Sequence, residues 1–138
     1  MKLEKKIAYA LAKELKDITQ EAKLDALAIL TATGDRVAFF AGDKRANSTE
    51  LSAIGAAVVA AARLALERLN FSPINDVMIR GKNGFLILKS IGNYHLVGGT
   101  NDIEEFKTAI AVLSSHTPKI AEILSYAESE TTDEEDTS

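Results

Sequence analysis

Two histidines, five arginines and one glycine-flanked lysine are the side chains whose types or surroundings invite a chemical reading of this sequence. His95 alternates with Tyr94 and Leu96 in a strand-like run, and His116 stands two residues before Pro118. Neither has partner ligands at a metal-binding spacing, so no metal site is expected. No carboxylate pair stands apart from the ordinary surface acids as an acid–base couple, and no serine sits in a nucleophile elbow. Gly81-Lys82-Asn83-Gly84 invites comparison with a phosphate loop. It lacks the P-loop spacing and no helical pattern follows, whereas Asn-Gly between β-rich runs is a hairpin signal. There is no cysteine, which excludes disulfides and thiolate ligands. No catalytic residue, cofactor or metal is therefore assigned, and the chain is expected not to be an enzyme. Its function must be sought in surfaces.

The elements that carry those surfaces follow from periodicity. Leu3, Ile7, Leu11, Leu15 and Ile18 recur at three- and four-residue steps, predicting an amphipathic helix over about residues 3–20. Glu4, Glu14 and Asp17 interrupt its lysine-rich outer face, which reads as solvated and not as a nucleic-acid surface. LDALAILTATGDRVAFFAG, residues 24–42, holds two apolar runs around Thr33-Gly34-Asp35 and predicts a β-hairpin. Ala26, Ala28 and Leu30 fall on one face of its first strand and Leu27 and Ile29 on the other. Both faces should be covered, the alanine side by something packed very close.

Asn47, with Glu50 three residues on, caps an alanine-rich helix that closes near Leu69, where Asn70 takes the left-handed conformation. Its central stretch, AIGAAVVAAARLAL, overlaps a run from Leu51 to Ala62 without a single charge. INDVMIR, FLILKS and YHLVGGT then form a three-stranded meander. Thr100-Asn101-Asp102 opens a last helix with Ile103, Phe106, Ile110 and Leu113 on one stripe. Pro118 is expected to kink or interrupt it, because proline in a helix interior costs about 3 kcal/mol. A short helix over 119–127 would follow. The order α-β-β-α-β-β-β-α describes an α+β sandwich with a mostly antiparallel sheet.

The net charge of −4 conceals an asymmetry. Six acids and no base follow Ala127, so −4 minus −6 leaves +2 on the body. Such a block predicts a disordered tail over 128–138 behind a single domain over 1–127. MKLEKK places charges where a secretory leader needs an apolar run. No uncharged stretch approaches the roughly 20 apolar residues of a membrane span. A cytoplasmic protein without integral membrane association is expected.

Three stretches in this order resemble the roadblock family, whose members include dynein light chains and bacterial and archaeal regulators of Ras-like GTPases. They are the hairpin ALAILTATGDRVAFFAG, the helix TELSAIGAAVVAAARLALERL, and the strand block DVMIRGKNGFLILKSIGNYHLVGGT with the helix after it. The resemblance covers roughly residues 3 to 113 and rests on order and spacing, since each stretch is a hydrophobic pattern and not a chemical signature. It implies a five-stranded antiparallel sheet, with the middle helix on one face and the first and last helices on the other. It also implies dimers in which the middle helices pair antiparallel and the third strands join into one continuous sheet.

The residues meet that implication at two places. Leu51, Ile54, Val58, Ala61, Ala65 and Leu69 form a stripe suited to the sheet, and Ala53, Ala57, Ala60 and Leu64 a second stripe suited to another helix. Val77, Met78 and Ile79 lie in a strand that the implied topology puts at the sheet edge, where an unguarded apolar strand needs a partner. These seven residues, Ala53, Ala57, Ala60, Leu64, Val77, Met78 and Ile79, are the candidate dimer interface. The expected partners are a second copy, or a paralogue in a heterodimer, and a small Ras-like GTPase. Arg45, Arg63, Glu67 and Arg68 are the candidate GTPase contacts, and Arg45 has the best reach for an arginine finger, a role a surface arginine seldom fills. The alternative function is an adaptor or scaffold subunit of a larger complex without effect on nucleotide hydrolysis. A small-molecule sensor would need a polar-lined pocket between sheet and helix, and the small apolar residues argue against one.

Overall fold

A computed structural model describes residues 3–42, 46–102, 104 and 106–137, with side chains as far as Glu128. The elements are α1 (Lys5–Ala22), β1 (Ala26–Thr31), β2 (Arg36–Ala41), α2 (Ser48–Arg68), β3 (Asp76–Arg80), β4 (Phe85–Ile91), β5 (Tyr94–Thr100) and α3 (Phe106–Thr137). The strands form one antiparallel sheet in the order β2-β1-β5-β4-β3, which leaves β3 at an edge. The expected α+β sandwich is present. One face of the sheet carries α1 and α3, and the other carries α2.

Strand alternation divides the core in two. Leu27, Ile29, Ile87 and Leu96 point to the α1/α3 side, where they meet Leu11, Leu15, Ile18, Leu113, Ile120 and Leu124. This is the larger core, and it uses the predicted stripe of α1 almost unchanged. Ala28, Leu30, Leu88 and Val97 point the other way, toward Val59 of α2. The first strand is therefore covered on both faces, with its alanines on the thin side, as its lack of polar alternation requires.

The two ends of α2 are set by local chemistry. Asn47 accepts a hydrogen bond from the Glu50 backbone N–H at 2.9 Å, satisfying a donor with no partner inside the helix. At the other end Asn70 is left-handed, with φ 61°. The N–H of Asn70 reaches the carbonyl of Glu67, and the N–H of Phe71 reaches that of Leu66 at 2.7 Å. That pair of bonds is the Schellman closure. Asn47→Ala is expected to lower stability by about 1 kcal/mol, read as a fall in the urea midpoint at constant m value.

The expectation that Pro118 interrupts the last helix is corrected. α3 continues through Pro118, which lies inside the helix. Proline removes one backbone bond there, but Leu113, Ile120 and Leu124 are all buried in the larger core, and that burial anchors the helix on both sides of the proline. Thr117 Oγ1 donates to the Leu113 carbonyl at 2.8 Å in the same turn. Past Ala127 the helix runs on to Thr137. Glutamate is a good helix former, and extending an existing helix is far easier than nucleating one.

His116 pins this turn to α1. Its Nδ1 lies 3.0 Å from a Glu14 carboxylate oxygen and its Nε2 lies 3.1 Å from one of Glu21. Burial alone lowers the imidazole pKa, but hydrogen bonds and charge from the two glutamates outweigh it, and the net shift is upward. A histidine with a raised folded pKa contributes stability that is fully present below its unfolded value of 6.5 and is lost as pH rises through the folded value. The stability difference between wild type and His116→Gln is therefore expected to shrink as the buffer is raised from about pH 6 to above 8. Urea melts at a series of pH values check this.

Candidate interaction surface

The alanine-rich helix lies on the sheet along its thinnest line. Gly55 and Val59 are its buried residues, and Leu51 and Val58 are partly buried beside them. A Cβ on Gly55 would stand 2.7 Å from Leu30 Cδ1 and 3.1 Å from Val97 Cγ1. Glycine is there because large sheet side chains fill the space its own would need. This corrects the assignment of the two stripes. Ile54, Ala61, Ala65 and Leu69, expected to face the sheet, point to solvent, with Ile54 43% and Leu69 59% exposed. In a helix whose apolar side chains run almost all the way round, the position without a side chain decides which line meets the sheet.

Ala53, Ala57, Ala60 and Leu64 also lie on the outer face, Leu64 being 57% exposed. With Ile54, Ala61 and Ala65 they make one broad apolar surface that none of the described residues covers. Contiguous apolar surface of this kind marks an interaction site. By length and composition α2 is also apolar enough to cross a membrane, although its uncharged run stops at Ala62. Its capped ends and its sheet-packed face give it a different setting here.

β3 pairs with β4 alone, and its other edge is open. Val77 faces the α2 side and Met78 the α1/α3 side, both partly buried, while Ile79 is 48% exposed. Arg80 does not extend freely beside them. Its guanidinium lies 5.0 Å from the centroid of the Phe106 ring, a cation–π distance. The interface candidates of α2 and β3 are thus accessible in the single chain.

The charged candidates separate. Arg45 lies outside the described residues. Arg68 is exposed on the last turn of α2. Arg63 is tied to the first hairpin, with Nη2 donating to the Ala32 carbonyl at 3.1 Å. One turn further on, Glu67 joins it along the rim of a cleft of about 360 Å³ between the C-terminal half of α2 and the sheet. Ser72, Ser90, Asn93 and His95 also line this cleft.

This polar cleft corrects the expectation that small apolar residues fill the whole space between sheet and helix. Its floor comes from strand register, which pairs Ser90 with His95. Ser90 Oγ lies 2.9 Å from His95 Nδ1. Burial, and then the positive charge of Arg63, push the His95 pKa down and favour the neutral ring. The signal was present in the sequence as the two-residue link Gly92-Asn93, which fixes that register. Among the described residues no three metal-binding side chains converge.

No family model matches the sequence, and no curated protein matches it by sequence. Solved structures do match by fold. MglB from Myxococcus xanthus superposes with a TM-score of 0.81 at 12% identity, covering 92% of this chain and 96% of that one. An MglB described as having a tetrameric arrangement gives 0.79 at 16% identity, over 91% of this chain and 95% of the other. A Roadblock/LC7 domain from Streptomyces avermitilis gives 0.61 at 12% identity, over 79% and 96%. At these identities the similarity speaks for the arrangement of elements and not for particular residues. The sheet order, the single helix on one face and the helix pair on the other are those of a roadblock-family fold.

Proposed function

We propose that two copies of this chain pair through the outer face of α2, by Ala53, Ala57, Ala60 and Leu64, and through the open edge of β3, by Val77, Met78 and Ile79. The pair would present a platform that binds a small Ras-like GTPase and biases its nucleotide state. The observation that carries this reading is the uncovered, charge-free outer face of α2. Small side chains permit helix axes to approach toward the lower end of the usual 8–10 Å range, roughly. A two-fold axis would also close the open strand edge and so remove an aggregation hazard. The roadblock-type fold supports the choice of a GTPase as partner. We take residues 1–127 as the unit that performs this role, in solution and in the cytoplasm, with 128–138 as an acidic appendage.

Arg63, Glu67 and Arg68 flank the proposed seam at its C-terminal end and are the proposed GTPase contacts, together with Arg45 in the approach to α2. A platform can act only by binding one nucleotide state more tightly than the other. Binding to a Ras-like GTPase encoded beside this chain, loaded in turn with GDP and a GTP analogue, tests this directly. The expected result is unequal affinity for the two states and a changed hydrolysis or exchange rate. Equal affinity with an unchanged rate would make the protein an adaptor, and no binding in either state would overturn both readings.

A further inference from the structure

The cleft under the C-terminal half of α2 has features that the proposed dimer seam does not use. His95 is 95% buried, being only 5% exposed. Its Nδ1 is satisfied by Ser90, yet among the described residues Nε2 has no hydrogen-bond partner. Among the described residues no fully enclosed polar side-chain atom is left unpartnered, so Nε2 keeps its access through the cleft that the ring lines. A polar atom open only to a cleft takes its partner from solvent or from a ligand.

The rim adds charge of both signs. Arg63 spends one N–H on the Ala32 carbonyl and holds no ion pair among the described residues. Glu67 is one helical turn away on the same rim, and its carboxylate has neither a hydrogen bond nor an ion pair among those residues. Two opposite charges left unpaired so close together suit a molecule that brings one of each. The volume, about 360 Å³, sits near the lower end of the roughly 300–1,000 Å³ typical of ligand sites and excludes anything as large as a dinucleotide.

We infer that this cleft binds a small zwitterionic metabolite of the amino-acid class. Its carboxylate lies on the Arg63 guanidinium, its ammonium on the Glu67 carboxylate, and a polar atom between them meets His95 Nε2. Asn93 and Ser72 supply further polar contacts at the walls. A purely anionic ligand would leave Glu67 unanswered and opposed, and a purely cationic one would do the same to Arg63. The site is distinct from the apolar seam but shares Arg63 and Glu67 with the proposed GTPase contacts. It joins α2 to the β4–β5 turn, so its occupancy would stiffen the end of α2 nearest the charged candidates.

The test uses the full-length protein alone, without any GTPase, so it succeeds or fails independently of the proposed function. The proteinogenic L-amino acids are titrated one at a time to millimolar concentration and followed by calorimetry and by the NMR shifts of the two histidine rings. At least one is expected to saturate, perturbing His95 and not His116. Its deaminated acid and its decarboxylated amine are each expected to bind about tenfold more weakly or worse, as loss of a charge-assisted bond requires. Arg63→Gln and Glu67→Gln, both at exposed positions, should weaken the zwitterion to the same degree. The inference is overturned if no amino acid perturbs His95. It is equally overturned if the acid or amine alone binds as well as the zwitterion, or if both glutamine variants bind normally.

Discussion

Ala57→Leu and Ala60→Leu are each expected to turn the dimer into a monomer while leaving the fold of the chain intact. Both alanines are exposed in the single chain, so the larger side chain meets no neighbour there. Leucine is also nearly as good a helix former as alanine. In the proposed pair the same side chain is driven into the facing helix, where overpacking costs about 1–3 kcal/mol. A two-fold interface repeats that cost in the partner. The dissociation constant should therefore rise by roughly 30-fold or more. Size-exclusion chromatography with light scattering reads the mass, and circular dichroism reads the fold. A fall in thermal stability that persists under conditions where wild type is also monomeric would place these alanines inside the chain's own core and refute the assignment of faces.

Gly55→Leu should behave in the opposite way. The added side chain would have to start 2.7 Å from Leu30 Cδ1, and Leu30 is itself fully buried. Gains in helix propensity over glycine amount to about 1 kcal/mol. They are outweighed when a whole isobutyl group must lift α2 from the sheet, because the smaller core contains only Ala28, Leu30, Val59, Leu88 and Val97 as buried members. A net loss of about 1–3 kcal/mol is expected even before association is considered. In a domain of this size that lowers the melting temperature by several degrees, roughly 3–5 °C per kcal/mol. Dissociation of the dimer would follow indirectly, since the outer face of α2 depends on the inner one for its position. Gly55 and Ala57 are two residues apart, yet one variant should damage the monomer and the other only the pair.

That contrast also marks where the sequence was and was not legible. The stripe from Ile7 to Ile18 could be read because charged residues bracket it, so only one face of α1 can be buried. The Asn47 cap, the Asn70 closure and the hairpin at Gly34 could be read because each is settled within a few residues. The rotation of α2 could not. Its apolar residues run around most of the circumference, and periodicity has nothing to choose between; contact with Leu30 and Val97, distant in sequence, makes the choice. Pro118 misled for a related reason, since a local preference was overridden by burial of Leu113, Ile120 and Leu124. The polar cleft collects Arg63 and Glu67 from a helix, Ser72 from a loop, and Ser90 and His95 from paired strands. No single window contains it.

The central claim is that α2 is covered on its outer face by a second copy of the chain. Sedimentation equilibrium of the wild-type protein at tens of micromolar, about the range in which a micromolar constant is resolved, tests it most directly. A mass near twice the 14.8 kDa of one chain is the predicted result, falling toward the single-chain value for Ala57→Leu under the same conditions. A wild-type mass of 14.8 kDa across that range would contradict the account.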